Sequence, residues 1–287
     1  METAYLILVH RYPQQFKRLF RAIYTPANHY LIHVDKRSGL GLQAEIRDFL
    51  SGYSNAHLLG SQTVVWGGYS MVDVELRGIK ELLKISAEWD CFINLSGQDF
   101  PLKPQAFIQE FLSRNKGKDF LLIADQAKKR PHTMNRVQNY FVENDHGFSG
   151  IPYKRPYLRD VTPYIGGQWM VLSRECCEFM SRSSKMERFK SFYQHTLIPD
   201  EGIKLLVKTL RAKDTESLIA SGRIKLRPKT FTANDTEFLL ASDALFARKF
   251  DMTVDSTIFD ILESKLQIAN YTLSNKRSQP IALRAIR

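Results

Sequence analysis

Short apolar runs alternate with segments of helical spacing through the first half of the chain, and this alternation restricts the fold more than any other feature. Tyr5 to Val9 is an unbroken apolar run ending at His10, and Phe16, Leu19, Phe20 and Ile23 follow at helical spacing within Pro13 to Ile23. Tyr30 to Val34 is a second run, a helix is expected over Leu42 to Leu50, and a third strand over Ala56 to Leu59. A long helix, Met71 to Ile85, carries a stripe of Val72, Leu76, Ile79 and Leu83, and further strands are expected from Cys91 and over Phe120 to Ile123. Such βαβ units imply an α/β fold in which a mostly parallel sheet is flanked by helices on both faces.

On such a sheet, ligands gather where the strands end. The stretch Cys91 to Pro104 fits that pattern: Cys91, Phe92 and Ile93 are apolar, and then come Asn94, Ser96, Gly97, Gln98 and Asp99. Gly97 permits a tight bend, and Pro104 suits the first turn of a helix over Gln105 to Ser113. An ordinary strand-to-helix connection would look the same. His10, Asp35 and the Asn94 to Asp99 loop are expected to emerge on one edge of the sheet.

With 287 residues, 44% hydrophobic and 25% charged, the chain can bury a full core. No run of about 18 apolar residues is present, and Glu2 stands where a signal peptide needs a base, so neither a membrane span nor a leader is expected. Three cysteines, two of them adjacent at Cys176 and Cys177, make no disulfide framework and suggest a reducing, cytoplasmic setting. The net charge of +11 suits an anionic ligand or an acidic membrane surface; nucleic acid is the weakest option, because no recognised binding motif accompanies the charge.

From Gln126 to Pro163 the alternation breaks. This segment holds Lys128, Lys129, Arg130, His132, Arg136, Lys154 and Arg155 among Tyr140, Phe141, Phe148, Tyr153 and Tyr157, and it reads either as a substrate-facing insertion over about 126–163 or as a packed surface loop. Order returns at Gly166-Gly167-Gln168-Trp169, a glycine-led strand running into a helix at Arg174 to Met180. Pro199-Asp200-Glu201 opens a helix bearing Ile203, Leu206, Val207 and Leu210; Arg223 to Arg227 reads as a strand, and Ser256 to Ile268 as the last helix. With neither an internal repeat nor a linker, residues 1–287 are read as one domain.

No Gly-x-Gly-x-x-Gly follows the first strand, and neither a phosphate loop nor an Asp-x-Asp pair occurs. A diphosphate ligand would then have to be neutralised by cationic side chains, with no metal ion and no cofactor. Glu201 has a plain structural reading, an acid complementing the first turn of a helix, beside a catalytic one. Arg248 and Lys249 can likewise be a solvated basic pair, and Trp66 and Trp169 packing residues.

Taken together, several phrases resemble one family closely. His33-Val34-Asp35-Lys36-Arg37-Ser38, Trp66 with the helix after it, Ile93 to Lys103, Gly167-Gln168-Trp169, Pro199-Asp200-Glu201 and Phe246 to Phe250 occur in the order found in the core-2/I-branching β-1,6-N-acetylglucosaminyltransferase and peptide O-xylosyltransferase family, glycosyltransferase family 14. The most specific block is Asn94-Leu95-Ser96-Gly97-Gln98-Asp99-Phe100-Pro101.

The resemblance implies a GT-A fold, a UDP-sugar donor, a glycan or glycoconjugate acceptor, inversion at the anomeric carbon and no metal requirement. It implies that Glu201 is the general base and that Lys249, with Arg248 and Arg227, meets the donor diphosphate. His10, His33, Val34, Asp35 and Arg37 would hold the nucleotide, and Trp66, Asp99, Gln168 and Trp169 would line the sugar and acceptor side. Better-known members are Golgi-anchored and rich in disulfides; this chain has three cysteines, which suggests a bacterial member working on the inner membrane face, where its charge would favour contact with anionic lipid. A catalytically silent sugar-binding protein on the same fold is the other reading.

Overall fold

The apolar runs form strands: β1 (Thr3–Val9), β2 (His29–Val34), β3 (Ala56–Leu59), β4 (Cys91–Ser96), β5 (Asp99–Pro101), β6 (Phe120–Asp125), β7 (Val142–Asn144), β8 (Gly147–Ser149), β9 (Tyr164–Ser173), β10 (Ile219–Ser221) and β11 (Phe246–Arg248). The computed structural model describes residues 1–149, 153–203, 219–221 and 229–278. The main sheet has the order β3-β2-β1-β4-β9-β6. Its first four strands are parallel, and β9 runs antiparallel to both β4 and β6. This is the mostly parallel, helix-flanked α/β sheet expected from the alternation.

Successive β1 side chains serve opposite faces. Tyr5, Ile7 and Val9 pack with Phe16, Leu19, Phe20 and Ile23 of helix Pro13–Ile23, whereas Ala4 and Leu6 join Val72, Ile79 and Leu82 of helix Tyr69–Ile85. Burial on both sides is why the strand reads as an unbroken apolar run. The buried face of the second helix is rotated slightly from the expected stripe. Glu75, Gly78 and Leu82 are fully buried on it, while Leu76 and Leu83 are only partly covered.

The register fixes which residues meet at the sheet edge. Val9 pairs with Val34 and Leu8 with Ser96, so His10, Asp35 and Gly97 follow side by side. Two backbone bonds of 2.9 Å, from Asp35 N to Val9 O and from Gly97 N to Leu8 O, close this edge. Three strands were expected to end there, and three do.

Several expectations need correction. Asp99 is not in a loop: β5 begins there and pairs with β11 in a second, three-stranded sheet, β10-β11-β5. The polar connection shrinks to Gly97-Gln98. The 126–163 segment is not irregular; it contains helices Gln126–Lys129 and Asn135–Gln138 and the β7–β8 hairpin. Pro199–Glu201 is a 3-10 turn, and the helix expected to follow it lies outside the described residues beyond Ile203. Arg227 and its expected strand lie outside them as well. The last helix is longer than expected, Thr257–Ser278.

Aromatic packing anchors the segment that follows β11. Phe250 sits between Phe100, Phe231 and Phe259, with ring centroids 5.5–6.1 Å away. The buried Gln15 amide donates both to Gly97 O (2.7 Å) and to Phe250 O (3.1 Å), joining the β4–β5 turn to the segment after Lys249. Cys91, Cys176 and Cys177 are buried and none of them is in a disulfide. No helix among the described residues is long and apolar enough to cross a membrane.

Candidate active site

A cavity of about 840 Å³ opens where β1, β2 and β4 end. His10, His33, Asp35 and Arg37 line it from the strand ends, Gln168 and Trp169 from β9, and Arg248 and Lys249 from the end of β11. Trp66 and Glu201 complete the set. Ten of the residues singled out in the sequence therefore face one space. Val34 and Asp99 are not on its wall: Val34 is a 2% exposed sheet residue packed in the core, and Asp99 lies fully buried behind Arg248.

At the strand ends, Asp35 caps the short turn Lys36–Ser38. Its Oδ1 accepts from Arg37 N at 2.9 Å, and its Oδ2 accepts from Arg37 Nη2 at 3.0 Å. Burial opposes ionisation of this carboxyl, but the Arg37 bonds outweigh it and hold it below the usual carboxylate range. Arg37 is further tied to Val64 O. His33 is 1% exposed, and burial pushes its imidazole down to about 4. It is therefore neutral, which agrees with its Nε2 accepting from Gln62 N at 3.1 Å. For His10, desolvation lowers the pKa first, followed by the nearby cations Arg11, Lys249 and Arg248 against the pull of Asp35.

Glu201 sits at the end of its 3-10 turn, with Oε2 accepting from Arg136 Nη1 at 2.9 Å. Both side chains are mostly buried, 14% exposed for Arg136 and 11% for Glu201. The turn enters through Ile198, whose φ of 54° is left-handed; for a β-branched residue this conformation costs about 1–3 kcal/mol. The surroundings enforce it. Ile198 N bonds Gly67 O at 2.8 Å, Leu197 N bonds Arg136 O at 3.2 Å, and Phe141 N bonds His195 O at 3.1 Å. Gly67 itself has a φ of 76°, and a Cβ there would stand 3.3 Å from Ile198 Cγ1. The 126–163 segment thus both lines the cavity and holds the Glu201 turn.

Arg248 lies over Trp169, its Cζ 3.8 Å from the ring centroid, and its Nε is 3.3 Å from Asp99 Oδ1. Asp99 Oδ2 also accepts from Ser96 N at 2.5 Å. Burial raises the Asp99 carboxyl above its ordinary range despite the pull of Arg248 and the Ser96 bonds.

Sequence reasoning missed Glu75. Its Oε1 accepts from Asn94 Nδ2 (3.0 Å) and Gln168 Nε2 (3.3 Å), and Asn94 Oδ1 accepts from Met170 N at 2.8 Å. The network fixes Gln168 and Trp169 from behind. An acid within the apolar face of the Tyr69–Ile85 helix was the available signal. Glu75→Ala would leave the buried Asn94 and Gln168 amides without their shared acceptor. The expected result is a stability loss of about 1–3 kcal/mol in urea unfolding. Substrate KM should rise with it, a change that a purely structural role would not produce.

Among the described residues, no three His, Cys, Asp or Glu side chains converge as metal ligands. The acids on the cavity wall, Asp35, Asp200 and Glu201, instead stand among cations: Arg37, Lys129, Arg130, Arg136, Arg248 and Lys249. The arrangement offers a carboxylate beside a hydroxyl-bearing ligand and fixed positive charge for an anionic one.

A xylosyltransferase of Ciona intestinalis is 32% identical over 208 residues, covering 70% of this chain and 24% of its own length. A mouse N-acetyllactosaminide beta-1,6-N-acetylglucosaminyl-transferase is 31% identical over 206 residues, covering 69% of this chain and 50% of its own. A rat beta-1,3-galactosyl-O-glycosyl-glycoprotein beta-1,6-N-acetylglucosaminyltransferase 3 is 29% identical over 199 residues, covering 69% and 45%. The matched region therefore spans between a quarter and a half of these relatives. The family model for the Core-2/I-Branching enzyme matches residues 3–221, which includes every wall of the cavity except Arg248 and Lys249. On that match, the chain belongs to the Core-2/I-Branching enzyme family of glycosyltransferases.

Proposed function

We propose that this protein moves a sugar, N-acetylglucosamine first and xylose second, from a UDP-sugar to a hydroxyl of a glycan or glycoconjugate, with inversion and without a metal ion. The observation that carries this reading is that Glu201 shares one cavity with Arg248 and Lys249 at the carboxyl end of a parallel sheet. Glu201 takes the acceptor proton, the acceptor oxygen bonds to the anomeric carbon, and the bond from that carbon to UDP breaks. The negative charge that grows on UDP falls on Arg248 and Lys249, fixed cations in a partly desolvated site. A single displacement inverts the anomeric centre.

Two details support the assignment. The Asp35 carboxylate, held ionised by Arg37, sits at the strand ends beside His10, where a ribose or base would be bound. Arg248 is braced by Trp169 and Asp99, so its charge is positioned before the donor arrives. The direct test is UDP release from a panel of UDP-sugars in EDTA. Release from one donor at an undiminished rate is expected, and activity that returns only with manganese would overturn the account of the cations.

A further inference from the structure

The cavity holds more positive charge than a diphosphate explains. Three of its cations are matched within the protein: Arg37 by Asp35, Arg136 by Glu201 and Arg248 by Asp99. Lys249 shares its end of the cavity with Arg248 and, on the reading above, serves the diphosphate. Lys129 and Arg130 remain. Both line the cavity, and neither has a carboxylate within ion-pair distance among the described residues; the neighbouring Lys128 takes Asp125 instead. His132 lines the same stretch of wall.

Their position says which substrate they face. Lys129, Arg130 and Arg136 lie on one short coil of consecutive turns, closed by Thr133 N to Arg130 O (2.9 Å) and Gln138 N to Met134 O (3.0 Å). Arg136 ends that coil on Glu201. A general base must lie within about 3 Å of the hydroxyl it deprotonates. The wall that carries Glu201's partner is therefore the acceptor wall, and the two unmatched cations belong to it. A half-buried guanidinium presents a planar fork suited to a carboxylate or phosphate, and a neutral glycan would leave it without a counter-charge.

We propose that the acceptor is an anionic glycan, bearing a carboxylate or phosphate near the hydroxyl that receives the sugar, and that Lys129 and Arg130 bind that group. The proposal rests on the glycosyltransferase reading above. It separates the two ends of the cavity, one set of cations for the leaving diphosphate and one for the acceptor's own charge.

The test is equilibrium binding to the protein saturated with UDP, so that the diphosphate cations are already occupied. The probes are tetragalacturonate against its carboxyl-reduced counterpart, and methyl galactoside 6-phosphate against methyl galactoside. The expected result is that at least one anionic probe binds about 10-fold or more tightly than its neutral twin, the size expected of one charge-assisted hydrogen bond. The preference should shrink as salt is raised. Which pair shows the larger gap distinguishes carboxylate from phosphate. In Lys129→Gln/Arg130→Gln the gap closes while the neutral twins bind as before, and in Lys129→Glu/Arg130→Glu it reverses. Equal binding of both twins by the wild-type protein would overturn the proposal. So would a matching fall of UDP affinity in the Gln variant, which would assign these cations to the donor. Failure to bind UDP at all would remove the underlying reading, whereas donor turnover without an anion preference would remove only this inference.

Discussion

Glu201→Gln is expected to lower kcat by about 10²–10⁴-fold while changing the donor KM little. The substitution keeps the shape of the side chain and, through the amide oxygen, an acceptor for Arg136, which holds the carboxylate at 2.9 Å. What it removes is the capacity to take a proton, which is needed only as the acceptor hydroxyl attacks. An interaction realised only in the transition state shows in kcat rather than in ground-state binding. The same change leaves Arg136 beside a neutral partner in a mostly buried site, so stability and UDP affinity must be followed in parallel. Retained UDP binding together with lost turnover identifies a chemical defect. A variant within about 3-fold of wild type would show that Glu201 is not the base. In that event Asp200, which also lines the cavity, is the next carboxylate to test as Asp200→Asn.

The strand ends were legible because their signal is local. Tyr5 to Val9 and Cys91 to Ile93 are apolar throughout and Tyr30 to Val34 is broken only by His33, a strand needs only its own residues to read that way, and parallel pairing then brings the ends to one edge. The place of Glu201 on the cavity wall could be expected only through resemblance, since an acid after Pro199-Asp200 is equally a turn cap. Asp99 was misplaced because its surroundings are made at a distance: β5 pairs with β11, whose partner residues lie far along the chain. The β11 pairing turns a polar loop residue into a buried counter-charge. The wall formed by Lys129 to Arg136 was half legible. Its basic composition stood out, yet nothing in Lys129, Arg130 and Arg136 says which one meets Glu201, because that depends on how Gly67, Ile198 and Leu197 bring the two segments together.

Arg248→Met should destabilise the protein by about 3–5 kcal/mol at pH 8, since it removes one partner of a buried ion pair and leaves the other. Asp99 is fully buried, and burial already holds its carboxyl above the ordinary range against the pull of Arg248. The sign of the pH dependence follows. A carboxyl whose folded pKa is raised contributes stability that is present below the unfolded value and lost as pH rises through the folded value. Without Arg248 the folded value rises further, so the deficit is greatest in alkali and diminishes as acid protonates Asp99. Urea unfolding of wild type and variant at a series of pH values measures that difference. In Arg248→Met/Asp99→Asn no buried charge is stranded, the pH dependence of the deficit disappears, and much of the stability returns. Activity is expected to behave otherwise. The leaving diphosphate still lacks its cation in the double variant, so donor kcat/KM stays low by about 10–100-fold, the scale of one lost charge-assisted contact. Recovery of stability without recovery of turnover separates what Asp99 does from what Arg248 does: the acid positions the guanidinium, and the guanidinium acts on the substrate. A deficit under about 1 kcal/mol at pH 8 would mean that the pair is not a buried one in solution.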